Sequence, residues 1–311
     1  MSAACPPAIA KSARLADFFR NYAELAKLRV TSLIIMTAWC GYFLGARQES
    51  VPTLSWGLFN ALVGIGLVSS GTAALNEVLE VDVDRKMRRT AARPLPSGRM
   101  GFAHACFVGL ALTIGGSAYL WILTNPLTGT LAFITSLFYL AAYTPLKRRS
   151  TLCTLVGAFP GAMPGVLGWA AVSGRLTFEA LVLFTILFCW QFPHFFSIAW
   201  LYREDYANGG IQMLPVVEPD GQSTARQILI YSLLLIPVSL LPALIRMAGL
   251  AYAVGALVLG LGLLYFSAQL ANCGLPANSP ASKSTARALL RASVLYLPLL
   301  FAIMMASAHH G

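Results

Sequence analysis

Apolar residues in this chain come in long unbroken runs. They show neither the alternation of a half-buried strand nor the single stripe of a soluble amphipathic helix. Nine runs have the length, about 17–25 residues, that carries an α-helix across a bilayer. They fall at 30–46, 54–78, 102–123, 126–145, 152–173, 177–200, 227–245, 248–271 and 290–308. The pattern predicts an all-α polytopic membrane protein with nine transmembrane helices. Pro160, Pro164, Pro193 and Pro237 lie inside these runs and predict kinks, which a membrane bundle tolerates when neighbouring helices satisfy the freed carbonyls. Ahead of the first run, Leu15, Phe18, Phe19, Tyr22, Leu25 and Leu28 recur at helical spacing among Arg14, Arg20 and Lys27. That spacing predicts a helix lying on the membrane surface. Residues 1–29 are therefore expected to form a cytoplasmic surface arm, and 30–308 the transmembrane domain. The arm lacks the apolar core of a signal peptide. An Arg-rich targeting peptide is the alternative, against which Asp17 and Glu24 stand.

Composition removes the soluble classes. The chain is 57% apolar and 11% charged, where soluble domains carry about 25% charged residues. A formal charge of +10 would in isolation suggest nucleic acid as a partner, but its distribution points to the lipid bilayer instead. With nine spans, Arg47, Arg175 and Arg246 are the basic residues on the side opposite the N-terminus, and the other 19 of 22 share the N-terminal side. Such a bias places that side, and the N-terminus, in the cytoplasm. A bacterial plasma (inner) membrane is expected rather than the mitochondrial inner membrane, because the segment before the first span is short. The six cysteines (Cys5, Cys40, Cys106, Cys153, Cys189 and Cys273) have no metal-ligand spacing and read as small buried hydrophobes.

Ten of the twelve acidic residues also fall on the cytoplasmic side, and they cluster. Asn76, Glu77, Glu80, Asp82 and Asp84 crowd the end of the second span, and Glu204 and Asp205 follow the sixth. On a helix, Asn76, Glu80 and Asp84 at i, i+4 and i+8 drift by only about 40° per step and share one face, about 12 Å from end to end. One amide oxygen and two carboxylates are hard ligands of the kind Mg²⁺ uses beside a substrate diphosphate. Asp82 lies about 200° from Glu80, so it points off that face and is expected to pair with a nearby Arg. A helix end decorated with solvated acids is the bland alternative. Clustering of ionisable groups at a membrane helix end favours function.

The string Asn76-x₃-Glu80-x₃-Asp84-x₂-Met87-x-Arg89-Thr90-x₂-Arg93 resembles the UbiA superfamily of intramembrane prenyltransferases. The longer run NEVLEVDVDRKMRRTAARPLPSGR, residues 76–99, resembles its heme-farnesylating branch. Further similarities follow in family order: Tyr143-Thr-Pro-Leu-Lys147-Arg148, GAFPGAMPGVLGWAA from Gly157, Phe192-Pro193-His194-Phe195, Arg203-Glu-Asp205-Tyr206 and Met213-Leu-Pro215. Spans one to six carry the resemblance, and spans seven to nine match in number and hydropathy. It implies nine helices around a central cavity, an active site on the cytoplasmic side, and farnesyl transfer from farnesyl diphosphate to a vinyl group of protoheme IX (heme B), giving heme O. By position, Asn76, Glu80, Asp84 and Asp205 would hold Mg²⁺ and be catalytic. Arg89, Arg93, Lys147 and Arg148 would bind the diphosphate, Arg being suited to bidentate phosphate contact. The product would pass to a downstream heme A synthase or a terminal oxidase assembly. One departure is plain: where other branches carry Asp-x₃-Asp after the sixth span, this chain has Tyr202-Arg-Glu-Asp-Tyr206, which leaves one or two Mg²⁺ open.

His194 is the one histidine deep in a predicted span. It reads either as a substrate-facing residue, an axial ligand of heme or an orienter of water, or as a histidine bonded to a neighbouring helix, and the place that the resemblance gives Pro193-His194 favours the first, with a catalytic role for His194. Trp190, Phe192, Phe195, Phe196, Tyr139 and Tyr143 either line a substrate cavity or pack. Two rival functions remain at this point. A secondary transporter would place its carboxylates near the midplane on broken helices, and a sister prenyltransferase would act on an aromatic or quinone precursor.

Overall fold

The computed structural model describes residues 7–218, 220–273 and 279–308, and among them the only β-contact is an isolated bridge between Ala248 and Ala308. Helix α1 (Pro7–Leu25) is followed by α2 (Leu28–Gln48), α3 (Trp56–Asp84), α4 (Phe102–Leu123), α5 (Pro126–Phe138) and α6 (Thr144–Leu146). Then come α7 (Cys153–Ser173), α8 (Phe178–Leu201), the short α9 (Arg203–Asn208) and α10 (Leu214–Val217), and finally α11 (Gln222–Leu244), α12 (Leu250–Ala271) and α13 (Pro280–Ala306). Nine helical stretches among the described residues are long and apolar enough to cross a membrane, with α5 and α6 forming one of them over Pro126–Leu146. Large apolar side chains such as Leu233, Val258, Leu261 and Tyr265 stand exposed on these helices, as lipid-facing residues do.

The predicted spans are all present and differ at their ends. Helix α3 continues past residue 78 to Asp84, because its polar last turns are buried among partners rather than released to water. Helix α13 begins at Pro280 instead of near 290. Its Ser279 Oγ accepts from the Ser282 N–H at 3.1 Å, and Pro280 sits where a missing N–H costs nothing. The prolines predicted to kink their helices lie inside α7, α8 and α11, which run unbroken through them.

The fifth span has its own irregularity. Between α5 and α6 the backbone widens into a π-turn over Tyr139–Tyr143. Pro145 explains it: the residue has no N–H for a regular bond, and its ring crowds the carbonyl four residues back. The Tyr139 carbonyl accepts both the Thr144 N–H, five residues on, and the Thr144 hydroxyl, the latter at 3.0 Å.

Helix α3 packs chiefly on α4, α2 on α7, and α7 on α8, which also meets α11 and α13. At the α2–α7 crossing, Gly41 and Gly168 face the backbone of Gly165 and Ala38 so closely that any Cβ would collide. Small residues of this kind let membrane helices approach where no hydrophobic effect drives them together. Toward the C-terminus the glue is polar, with Ser232 Oγ 2.8 Å from Ser267 Oγ and Ser239 Oγ 2.6 Å from the Tyr296 hydroxyl. Cys40, Cys153 and Cys189 are free and buried, and Cys106 and Cys273 are free and half-buried, while Cys5 lies outside the described residues. A smaller apolar cluster of Val83, Met87, Cys153, Ala199, Ile211 and Met213 joins α3, α7 and α8 to the loops that follow α3 and α8.

Candidate active site

The one-face ladder on α3 is real. Asn76, Glu80 and Asp84 are all buried, at 1%, 9% and 1% exposure. Asp82, off that face, is exposed and pairs with Arg85 at 3.4 Å. Because α3 stays regular to Asp84, the spacing in sequence becomes a row of oxygens in space. Asn76 Nδ2 donates to Glu80 Oε2 at 2.8 Å and reaches Thr144 Oγ1 at 3.3 Å.

Each member of the row faces one cation, and each cation comes from a different segment. Lys147 Nζ, just beyond the π-turn span, donates to both Glu80 oxygens at 2.9 and 3.0 Å. Arg93 Nη1, from the loop after α3, meets Asp84 Oδ2 at 2.6 Å. Lys27 Nζ, from the joint between α1 and α2, donates to Asn76 Oδ1 at 2.7 Å. The last contact was not foreseen. In the sequence Lys27 is one more basic residue near a span end, and the positive-inside bias accounts for it fully. Its backbone is in the left-handed region, with φ of 47°, which for a residue with a Cβ marks a position held by its surroundings.

The electrostatics follow from this crowding. Burial, helped by the like charges of Arg93 and Lys147, presses the Lys27 pKa down to about 7, with Glu80 and Asp84 pulling the other way. Burial also works against the Lys147 ammonium, but Tyr143, Tyr139 and Glu80 outweigh it and hold its pKa above the usual lysine value. The Lys147 ammonium lies 4.6 Å from the centre of the Tyr143 ring, and Tyr139 and Tyr143 sit with ring centres 5.0 Å apart. The π-turn thus brings both tyrosines to the cationic side of the ladder.

The second predicted acidic position is placed differently from the first three. Asp205 on α9 accepts from the backbone N–H groups of Arg88 and Arg89, at 3.0 and 3.1 Å. Its carboxylate thereby pins the loop after α3. Arg89 is in turn held between two rings: its guanidinium carbon lies 5.1 Å from the Tyr202 ring centre and 5.4 Å from that of Tyr206, and Nη2 donates to the Tyr206 hydroxyl at 3.1 Å. The tyrosines that replace Asp-x₃-Asp therefore form a cradle for a basic residue. Arg148 is exposed on the turn after Lys147.

Sequence reasoning also passed over Glu77. It is fully buried, Oε1 accepts the Leu95 N–H at 2.9 Å, and Oε2 has no hydrogen-bond partner. Together with Asp205 and with Thr90, whose hydroxyl donates to the Asp84 carbonyl at 2.9 Å, it ties the loop 85–101 down over the end of α3. Arg99 fastens the same loop to α1 through Asn21 and Glu24. The signal for Glu77 was only its place beside the ladder.

His194 meets α13. Its Nδ1 is 3.0 Å from Ser293 Oγ, and its ring stacks on Trp190 at 4.7 Å. Trp190 Nε1 donates to the Ser293 carbonyl at 2.8 Å, so both rings lock onto one turn of that helix. Phe192 and Phe196 are buried in the core, and Phe192 stacks on Tyr231 with centres 3.5 Å apart.

The ladder offers the hard oxygens that Mg²⁺ takes, and a row about 12 Å long gives any one ion at most two neighbouring side chains, which leaves its shell to be completed by substrate oxygens and water. Among the described residues no group of three His, Cys, Asp or Glu side chains converges, so a closed all-protein metal cage is absent.

A model of the UbiA prenyltransferase family matches residues 33–291. The chain is 57% identical to a protein named protoheme IX farnesyltransferase from Koribacter versatilis, covering 98% of each chain. It is 51% identical to one of the same name from Solibacter usitatus, over 92% of this chain and 98% of that one. Among solved structures, an apo UbiA homolog from Aeropyrum pernix K1 aligns with a TM-score of 0.66 at 16% identity, covering 86% of this chain and 97% of that one. A UbiA homolog from Archaeoglobus fulgidus bound to GPP and Mg²⁺ aligns with a TM-score of 0.58 at 17% identity, covering 91% and 99%. At such identities these structures speak for the fold.

Proposed function

Because this chain belongs to the UbiA prenyltransferase family, we propose that it transfers the farnesyl group of farnesyl diphosphate to a vinyl group of protoheme IX, with addition of water, to give heme O. The observation that carries this reading is near-full-length identity of 57% to a relative of that name, and the α3 ladder faced by Lys27, Lys147 and Arg93 supports it as a set suited to a metal-bound diphosphate. The protein is a multi-pass membrane enzyme, and we place its N-terminus in the cytoplasm of a bacterial cell. The arm 1–29 then lies on the cytoplasmic leaflet, a reading supported by the exposed Leu15, Phe18 and Phe19 on α1.

In this reading Asn76, Glu80 and Asp84 hold Mg²⁺, and Asp205 takes part either as a further ligand or by fixing Arg88 and Arg89. Bound Mg²⁺ supplies charge stabilisation to the leaving diphosphate. Arg93, Lys147 and Arg148 bind the diphosphate oxygens, and Arg89 does so from its tyrosine cradle. As the carbon–oxygen bond of the allylic ester breaks, negative charge gathers on the diphosphate, and preoriented cations stabilise it without reorganising. The farnesyl C1 then bonds to the terminal vinyl carbon of the porphyrin. The cation left beside the ring is captured by water, whose proton passes to the diphosphate. A dry site is needed so that water meets the second cation and not the first. We assign His194 to the heme side of the reaction. With Nδ1 on Ser293, its Nε2 is the nitrogen available to the iron or to the trapping water.

Purified protein with Mg²⁺, farnesyl diphosphate and heme B should yield a heme heavier by one farnesyl group and one water, read by mass spectrometry. Prenylation of 4-hydroxybenzoate with heme left unchanged would transfer the assignment to the sister branch.

A further inference from the structure

Asn76 Oδ1 stands apart from the other ladder oxygens in what holds it. Glu80 and Asp84 are carboxylates paired with Lys147 and Arg93, charge against charge, whereas Lys27 is held by a neutral amide oxygen. That oxygen is also the atom Asn76 has to offer a metal, since its Nδ2 is turned to Glu80 and Thr144. A Mg²⁺ ion at about 2.0–2.1 Å on the second lone pair of that oxygen would stand about 4 Å from an ammonium at 2.7 Å on the first, with no carboxylate between them, so the two cations repel and binding of one weakens the other. The ammonium is the one that can move away, being a point charge on a flexible stem whose anchor here is the weakest of the three.

From this we infer that Lys27 is an exchangeable cation of the active site: it occupies the Asn76 oxygen while the metal is absent and moves onto the substrate diphosphate when metal and substrate arrive. The inference rests on the reading of the ladder as a Mg²⁺-diphosphate site. Three features support the exchange. Lys27 is half-buried, and its charged neighbours are the same groups that define the site, Arg93 and Lys147 on one sign and Glu80 and Asp84 on the other. Its left-handed backbone at the α1–α2 joint turns its side chain toward α3, where a helical continuation from α1 would not hold it. Finally, an ammonium driven off the amide by Mg²⁺ meets a diphosphate brought by that same ion, so no charge is left unpaired in the buried row.

The exchange makes opposite predictions for two ligands. In Lys27→Met the competitor for Asn76 Oδ1 is gone, so Mg²⁺ alone should bind about tenfold more tightly. Inorganic pyrophosphate with saturating Mg²⁺ should bind about tenfold more weakly, having lost one charge-assisted hydrogen bond. Both are read by titration calorimetry and by ligand-dependent thermal shifts of the full-length protein in detergent. Lys27→Arg should restore most of the pyrophosphate binding. Lys27→Gln keeps a donor for Asn76 should the methionine variant fail to fold, and should also lose pyrophosphate affinity. A merely structural lysine would weaken both ligands together or neither, and either result overturns the inference. Wild-type protein that bound no pyrophosphate with Mg²⁺ would overturn the diphosphate-site reading itself, and the exchange with it.

Discussion

At the scale of single residues, Glu80 and Asp84 are buried charges each paired with one cation. Asp84 and Asp82 are two positions apart, yet one is buried against Arg93 and the other is exposed on Arg85. Asp84→Asn should therefore lower turnover by at least about 10², the scale of losing one transition-state stabiliser. Asp82→Asn should leave turnover within about twofold, since exposed pairs contribute little. Steady-state rates of the two variants decide it, and a more sensitive Asp82 would mean that α3 presents another face to substrate. Lys147→Met removes the cation paired with Glu80, whose side chain is 11% exposed, and leaves it the neutral Asn76 amide. Leaving a buried charge unpaired costs about 3–5 kcal/mol. This variant should lose stability as well as activity, and Lys147→Met combined with Glu80→Gln should recover stability but not activity. Chemical unfolding in detergent measures the first and the farnesylation assay the second.

At the scale of elements, the loop 85–101 is held over the end of α3 by bonds to α3, α9 and α1. Glu77 and Asp205 hold it by accepting its backbone N–H groups, and Arg99 holds it by reaching α1. Glu77→Ala should raise amide exchange at Leu95 and its neighbours while leaving α3 protected. Its catalytic loss should fall mainly on KM for farnesyl diphosphate, because the loop carries Arg89 and Arg93. Unchanged exchange at Leu95 would show that the loop is held by something else. The π-turn works in the opposite sense, as a rigid irregularity. It exists because Pro145 denies the fifth span a regular bond, and the widened turn leads directly into Lys147.

At the scale of the whole molecule, the nine candidate spans among the described residues put the oxygen ladder and its cations at one end of the bundle, which we assign to the cytoplasmic face. In a cysteine-free background, Lys86→Cys should resist an impermeant reagent added to intact cells and react after permeabilisation. Leu176→Cys should react at once. Both positions are exposed in the fold, so access depends on membrane side alone. Ready external labelling of position 86 would require a different span count or the reverse orientation.

Span number, the sidedness of the charges and the ladder of Asn76, Glu80 and Asp84 were determined by the sequence alone. These features are periodic or local: a bilayer-length apolar run, a count of Lys and Arg, and a four-residue spacing each keep their meaning without knowledge of what packs nearby. The ends of α3 and α13 were less legible, because polar turns there stay helical only through partners from elsewhere. What only the tertiary structure decided is which charge answers which. Lys27 reaches Asn76 across 49 residues, Lys147 reaches Glu80 across 67, and Asp205 reaches the Arg89 amide across 116. No spacing rule connects such pairs. In a bundle their distances are set by which helices cross, and a basic residue near a span end looks the same in sequence whether it faces lipid headgroups or, like Lys27, the buried row of oxygens.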